Sequence, residues 1–356
     1  NSQKQINDDL PLIDIEQAYQ EPLRELVLSE VVEKVEYIKL QTLPECYISQ
    51  IGDIGVSENF LAIHSNENNN ILLFSKTGEF LNTIGHSGEG PGEYSRVDQK
   101  SLTISHDEKS VLFLDGNRRI FQYGLDGGFL RVMELPLPSN RELHILPDGN
   151  IIVYQDRKHQ EQTDGPVLYK FDKDLKLVDS LFYTHWDNSL NGKTYAPDMI
   201  CVENSNIFFK QFYNDTLFKI NKGGIQSTCY LISLGELEPP SMKLHYMETW
   251  SKYMVIEGLY STDQYILALL IGRRRVPQSR NYTNELVWYN KKSTEVFMTT
   301  KMTRNDLDGI EFYASRKPKT DILWDKLDII DYKSYVDADS VNISDLSTQK
   351  YYRRLK

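Results

Sequence analysis

The chain has 356 residues, of which 40% are hydrophobic and 26% charged, with a formal net charge of −11. This is the composition of a soluble globular protein long enough for a large core. The acidic balance disfavours nucleic acid or an anionic membrane surface as a partner, and no run of about 20 apolar residues, the length of a membrane span, occurs.

In chain order, the opening NSQKQINDDLPLID has no basic stretch followed by an apolar core, so it does not read as a signal peptide. Residues 1–30 are expected to be a polar N-terminal tether or extension. A trimmed export signal would leave such a tether, and the frayed end of a cytosolic protein would look the same. Next, VVEKVEYIKLQ at 31–41 alternates like a strand but has no hairpin partner nearby.

A repeat follows. ILLFSKTGEFL at 71–81 and IFQYGLDGGFL at 120–130 share an aliphatic residue at the start, an aromatic at +3, Gly at +7 and Phe-Leu at +9 and +10. LYKFDKDLKLV from Leu168, LFKINKGGIQS from Leu217 and LVWYNKKSTEV from Leu286 keep parts of the template, giving steps of 49, 48, 49 and 69 residues. Each unit reads as a hairpin whose turn calls for positive φ at Gly78 and Gly127. Ahead of the hairpins lie further strand pairs, SLTIS with VLFLD and ELHIL with NIIVYQ, the second pair joined by the turn PDGN.

Four short antiparallel strands per 40–50 residues mark a β-propeller blade. The expected fold is all-β: a six-bladed β-propeller of four-stranded antiparallel blades over residues 31–356. A helical insertion near 237–256 would explain the longer fourth step. The C-terminal region, through IEFYA, DILWD and LDIIDYKSYV, would build the sixth blade, and the 31–41 strand would complete it, closing the ring without open edges.

Between the first two hairpins lies IGHSGEGPGEYSR, with Gly85, Gly88, Gly90 and Gly92 inside eight residues. A phosphate cradle needs converging N–H groups at a helix start and a following Lys or Ser/Thr. Here Glu89 and Glu93 would repel a phosphate, Pro91 removes a donor, and no amphipathic helix follows. A tight connection between strands is the better reading. HSNENNN at 64–70 lacks the central Gly and twelfth-position Glu of a calcium loop.

Cys46, Cys201 and Cys229 are far apart and form no C-x-x-C, which argues against a zinc site or disulfide framework. A Cys201–Cys229 bridge stays open. The seven histidines show no H-x-H or H-E-x-x-H and read as structural or exposed. The basic run at Arg273, Arg274, Arg275 and Arg280 reads as a solvated loop rather than an anion grip.

The N-x-R-I-x-x-Y-x-x-D-G-x-F-L stretch from Asn117 to Leu130, G-E-G-P-G-E-Y at Gly88–Tyr94 and V-E-Y-I-K-L-Q-T at Val35–Thr42 resemble NHL-type repeats. Together they are similar to the six-bladed β-propeller family of Bacteroidetes cell-envelope proteins, many of them predicted lipoproteins. Repeats three to five lose the D-G turn or the F-L ending, and no lipid-bearing Cys stands at residue 1. The resemblance implies a periplasmic or cell-surface location with a lipid anchor upstream.

In this fold the loops joining an outer strand to the next inner strand gather at one face, where binding residues tend to sit. Ligand-binding candidates there are Tyr94, Arg96, Arg141, His185, Trp186, Asp187, Tyr195, Asp308 and Glu311. The expected function is non-catalytic binding of an envelope protein, peptide or glycan, without cofactor. The alternative is a gluconolactonase-like hydrolase or lyase holding a divalent metal such as calcium in the channel, for which no spaced ligand motif is found.

Overall fold

The computed structural model describes residues 10–31, 35–116, 118–135, 140–155, 165–184, 199–203, 206–211, 214–220, 226–239, 252–272, 283–300, 302–303, 306, 312–313, 323–327 and 351–355. They belong to two compact units, one of residues 1–30, 189–304 and 311–321, the other of residues 31–188, 305–310 and 322–356.

The second unit holds β2 (Val35–Lys39) and three four-stranded antiparallel sheets. Sheet I is β3 (Ile51–Val56), β4 (Phe60–Ser65), β5 (Asn70–Ser75) and β6 (Phe80–Ile84). Sheet II is β7 (Thr103–Ile104), β8 (Ser110–Asp115), β9 (Arg119–Gly124) and β10 (Phe129–Glu134). Sheet III is β11 (Asn140–Ile145), β12 (Ile151–Gln155), β13 (Gly165–Phe171) and β14 (Leu177–Thr184).

The first unit begins with β1 (Leu12–Asp14) and the helix α1 (Ile15–Gln20). Sheet IV is β15 (Met199–Glu203), β16 (Asn206–Lys210), β17 (Thr216–Ile220) and β18 (Gln226–Ser233). Sheet V is β19 (Met254–Ser261), β20 (Tyr265–Gly272), β21 (Thr283–Asn290) and β22 (Val296–Thr300), followed by the short pair β23 (Met302–Thr303) and β24 (Phe312–Tyr313). In the second unit, β25 (Leu323–Leu327) and β26 (Tyr351–Leu355) join β2 in the order β2-β26-β25, so the 31–41 strand does pair with the C-terminal region.

All five sequence templates fall on the hairpin between the third and fourth strands of sheets I to V. Their first residues, Ile71, Ile120, Leu168, Leu217 and Leu286, are fully buried, and so are Phe74, Tyr123, Phe171, Ile220 and Tyr289 at +3. Burying each such side chain contributes about 1.5–3 kcal/mol, which explains why these two positions survive where the turn motif decays. The glycines at +7 have positive φ, +90° at Gly78 and +83° at Gly127, and in repeat three Leu175 holds the same left-handed region at +65°.

Another recurrence escaped the template. Lys76 and Lys291 both stand at +5, and their ammonium groups donate to the carbonyls of Ser57 (2.9 Å) and Thr262 (2.6 Å). Each lysine thus ties the last turn of its sheet to the first. The first turns match as well: Phe60 N–H is capped by Ser57 Oγ and Tyr265 N–H by Thr262 Oγ1.

Two expectations change. Residues 10–30 are not a tether: β1 lies parallel to β18, with Leu12 opposite Leu231, and Ile13, Ile15, Ala18 and Tyr19 enter the core of the first unit. The segment had looked polar because only one face of a short strand and helix is apolar. Asp14 caps α1 by accepting from Gln17 N–H at 2.9 Å, and Pro22 follows its last turn. Within the expected helical insertion 237–256, residues 240–251 lie outside the described residues, while Gly235–Leu237 is a 3-10 turn and Met254–Ile256 already belong to β19.

Cys46, Cys201 and Cys229 are all thiols. Cys201 on β15 and Cys229 on β18 sit at opposite sides of sheet IV, three strand spacings or roughly 14 Å apart, too far for a bridge. Among the described residues no helix is long and apolar enough to cross a membrane.

Candidate functional site

In each sheet, the turn between second and third strands and the connection from the preceding sheet lie at the same end, because the strands run alternately up and down. In the second unit that end of sheets I and II is built from the turns 66–69 and 116–118 and the connection 85–102.

The glycine-rich part of this connection is a closed turn. Gly90 N–H donates to Glu93 Oε2 at 2.7 Å and Glu93 N–H returns to Gly90 O at 3.0 Å. Gly88 N–H binds Tyr94 O at 2.9 Å and Tyr94 N–H binds His86 O at 3.1 Å. These donors are consumed within the loop, and a carboxylate occupies the place an anion would need.

Tyr94, expected on the ligand face, is a core residue. Its ring is fully buried, edge-on to Phe113 at 5.0 Å and Tyr123 at 6.2 Å, and its hydroxyl donates to Asn69 O at 3.0 Å. Burial pushes its phenol well above the ordinary range. The loop before it turns the chain inward, so this aromatic fills the gap between sheets I and II instead of facing solvent.

Beyond Tyr94 the chain becomes polar and is pinned by buried carboxylates. Asp115, at the end of β8 with its side chain wholly buried, accepts from Ser95 Oγ (2.5 Å) and Arg96 N–H (2.9 Å) and pairs with Arg119. Arg119 stays 43% exposed and lies 5.1 Å above the Phe121 ring. Arg96 is 57% exposed, with Nε 3.0 Å from Asp98 Oδ1.

Lys100, 37% exposed and held at φ +62°, places Nζ 2.6 Å from Glu142 Oε1, while His144 Nε2 is 3.4 Å from the other oxygen of Glu142. On the opposite side Asp53 of β3 accepts from Ser101 N–H (2.7 Å) and Leu102 N–H (2.9 Å). Burial alone would raise the Glu142 carboxyl, but the Lys100 charge and the His144 hydrogen bond outweigh it and hold it at about 2.

The neighbouring turn of sheet I completes the surface. Asn69, at φ +49°, donates from Nδ2 to Ser95 O at 2.9 Å, so HSNENNN braces the connection rather than a cation. Asn66 and Asn68 are exposed, and Asn68 Nδ2 is 3.5 Å from the carbonyl of Tyr47, itself 58% exposed. A continuous bonded path therefore runs from Tyr47 through Asn68, Asn69 and Ser95 to Asp115 and Arg119.

Of the residues expected at the site, the structure places Arg96 here and Tyr94 beneath it. Arg141 has its backbone in β11, beside Glu142 in sequence; its side chain lies outside the described residues, as do His185, Trp186, Asp187, Tyr195, Asp308, Glu311 and the basic run 273–280. Tyr47 and Lys100 lie outside the repeated hairpin, and Arg119, one residue before the template on β9, was read only as part of the repeat motif and not as a site residue. Among the described residues no group of three or more His, Cys, Asp or Glu side chains could hold a metal ion.

Consecutive four-stranded antiparallel sheets, paired in chain order and carrying a polar surface on their turns, define a β-propeller-like all-β protein. The chain belongs to the DUF4934 family, a domain of unknown function whose pattern matches residues 10–341. It is similar to a predicted exported protein of Bacteroides fragilis at 19% identity and TM-score 0.68, covering 97% of this chain and 99% of that one. A DUF4221 family member from Bacteroides vulgatus matches at 13% identity and TM-score 0.51, covering 92% and 97%. Catalytically inactive virginiamycin B lyase from Staphylococcus aureus gives 12% identity and TM-score 0.46 over 91% and 100%, too distant to bear on this chain. Among curated proteins there is no significant match.

Proposed function

We propose that this protein is a non-catalytic binding module of an extracytoplasmic compartment, built as a six-bladed propeller. Likeness to a predicted exported protein over nearly the whole chain supports the location. In this reading β2 is the outer strand of the sixth blade. It is outermost in its sheet, and Lys39 receives Gly78 of sheet I as Thr83, on the outer strand of sheet I, receives Gly127 of sheet II.

The observation that carries the binding role is the bonded path from Tyr47 to Arg119. It displays an aromatic ring, amides and guanidinium groups on a connection that the buried Asp115 pins and a turn that Asn69 braces against it, as a preformed site requires. His144 is buried against Glu142, so its imidazole serves the scaffold.

A screen of the intact protein against envelope glycans and peptides, with hydrogen-exchange footprinting of each hit, tests the proposal. Protection confined to 47–50, 66–69, 95–100 and 116–119 is expected. Chemical turnover of a hit, or a footprint elsewhere with this face bare, would overturn it.

A further inference from the structure

Resting on that binding role, the charge layout narrows the ligand. In a chain of net charge −11, Arg96, Lys100, Arg118 and Arg119 gather at one end of sheet II. The counter-charges of Arg96, Arg119 and Lys100 are turned inward: the side chains of Asp98, Asp115 and Glu142 are only 10%, 0% and 7% exposed. Such a layer leaves positive charge outward over a buried negative floor, and the floor fixes the cations before any ligand arrives. Lys100 keeps its place in a backbone conformation that only a small minority of non-glycine residues adopt.

We propose that this locus is a carboxylate subsite for a uronic-acid-containing oligosaccharide, with Lys100 and Arg119 facing the carboxylate and Tyr47 a sugar ring. A phosphate is disfavoured because the Gly88 and Gly90 N–H groups are consumed within their own loop. The exposed acids Glu67 and Glu89 on the flanking turns repel a compact polyanion, whereas a uronate chain carries one charge per ring. The exposed ring of Tyr47, whose carbonyl lies 3.5 Å from Asn68 Nδ2, offers a stacking face, and the exposed amides of Asn66 and Asn68 offer hydroxyl partners, which favours a sugar over an acidic peptide.

Calorimetric titration of the intact protein with tetragalacturonate, maltotetraose and pentaglutamate tests this. Tetragalacturonate should bind at least ten-fold more tightly than maltotetraose and weaken as salt rises. Arg119→Lys keeps a cation on Asp115 but loses the planar fork, and Tyr47→Ala removes only an exposed ring. Each should weaken tetragalacturonate about ten-fold with unchanged melting.

No binding of tetragalacturonate, equal affinity for maltotetraose, or indifference to both variants overturns the subsite, and tighter binding of pentaglutamate overturns the sugar assignment. If another ligand footprints on this face while tetragalacturonate fails, the binding role stands and only the subsite falls. A footprint elsewhere removes both.

Discussion

Gly127 rests against the carbonyl oxygen of Thr83, and Gly78 makes the same approach to the carbonyl of Lys39. In both places an added Cβ would collide with backbone that cannot swing aside, and both glycines hold positive φ. The turn of each hairpin is thereby seated on the strand that precedes its sheet.

Gly127→Val therefore combines left-handed strain with overpacking, and a loss of about 2–4 kcal/mol is expected. A urea midpoint equal to that of the parent protein would show that the turn tolerates a side chain and that the seating is loose.

Glu142 ties acid stability to the candidate site. Its carboxyl is held at about 2 in the folded protein against an ordinary 4.5. A depressed folded value stabilises fully above the unfolded value and is lost as pH falls from about 4.5 through about 2. The linkage is on the order of 3 kcal/mol. Lys100→Met leaves this carboxylate buried without its cation, so its acid unfolding should start at higher pH than in the parent. Superimposable acid-unfolding curves for the two proteins would contradict the pairing.

The two lysine clips offer a comparison within one molecule. Lys291 also binds Glu203 Oε2 at 2.6 Å and Ser261 Oγ at 3.0 Å, and Ser261 itself donates to Glu203. Both members of this ion pair are mostly buried. Lys291→Met strands Glu203 and should cost about 3–5 kcal/mol. Lys76→Met abandons the half-buried Ser57 carbonyl, and losing that hydrogen bond should cost about 1 kcal/mol. Equal losses in thermal unfolding would mean that Glu203 finds another partner.

Sheet architecture was legible because it rests on positions whose burial is repeated: Ile71, Ile120, Leu168, Leu217 and Leu286 signal the third strand even where the turn has drifted. The site was less legible. Tyr94 sits in a loop rich in Gly and Glu, and sequence does not tell an aromatic that turns inward from one that faces out. Arg119 and Lys100 matter through Asp115 and Glu142, partners 4 and 42 residues away, and only the fold brings them together. Residues 10–30 were misread because β1 needs a single buried residue, Ile13, too little apolar signal for a strand.

That segment gives the sharpest test of the first unit. Leu231 N–H donates to Pro11 O at 2.9 Å across the parallel β1–β18 pair, whereas Ile232 N–H goes to Asp215 O at 2.6 Å within sheet IV. Deleting residues 1–30 removes the acceptor of the first amide and spares that of the second, and it strips Ile13, Ile15 and Tyr19 from a core that includes Leu217, Ile232 and Val287. Hydrogen exchange in the shortened protein should accelerate strongly at Leu231 while Ile232 keeps most of its protection, and the melting temperature should fall. Ile15→Ala in the full chain should cost about 2–5 kcal/mol by the same contacts. A shortened protein with parental melting and a protected Leu231 amide would return residues 10–30 to the status of a tether.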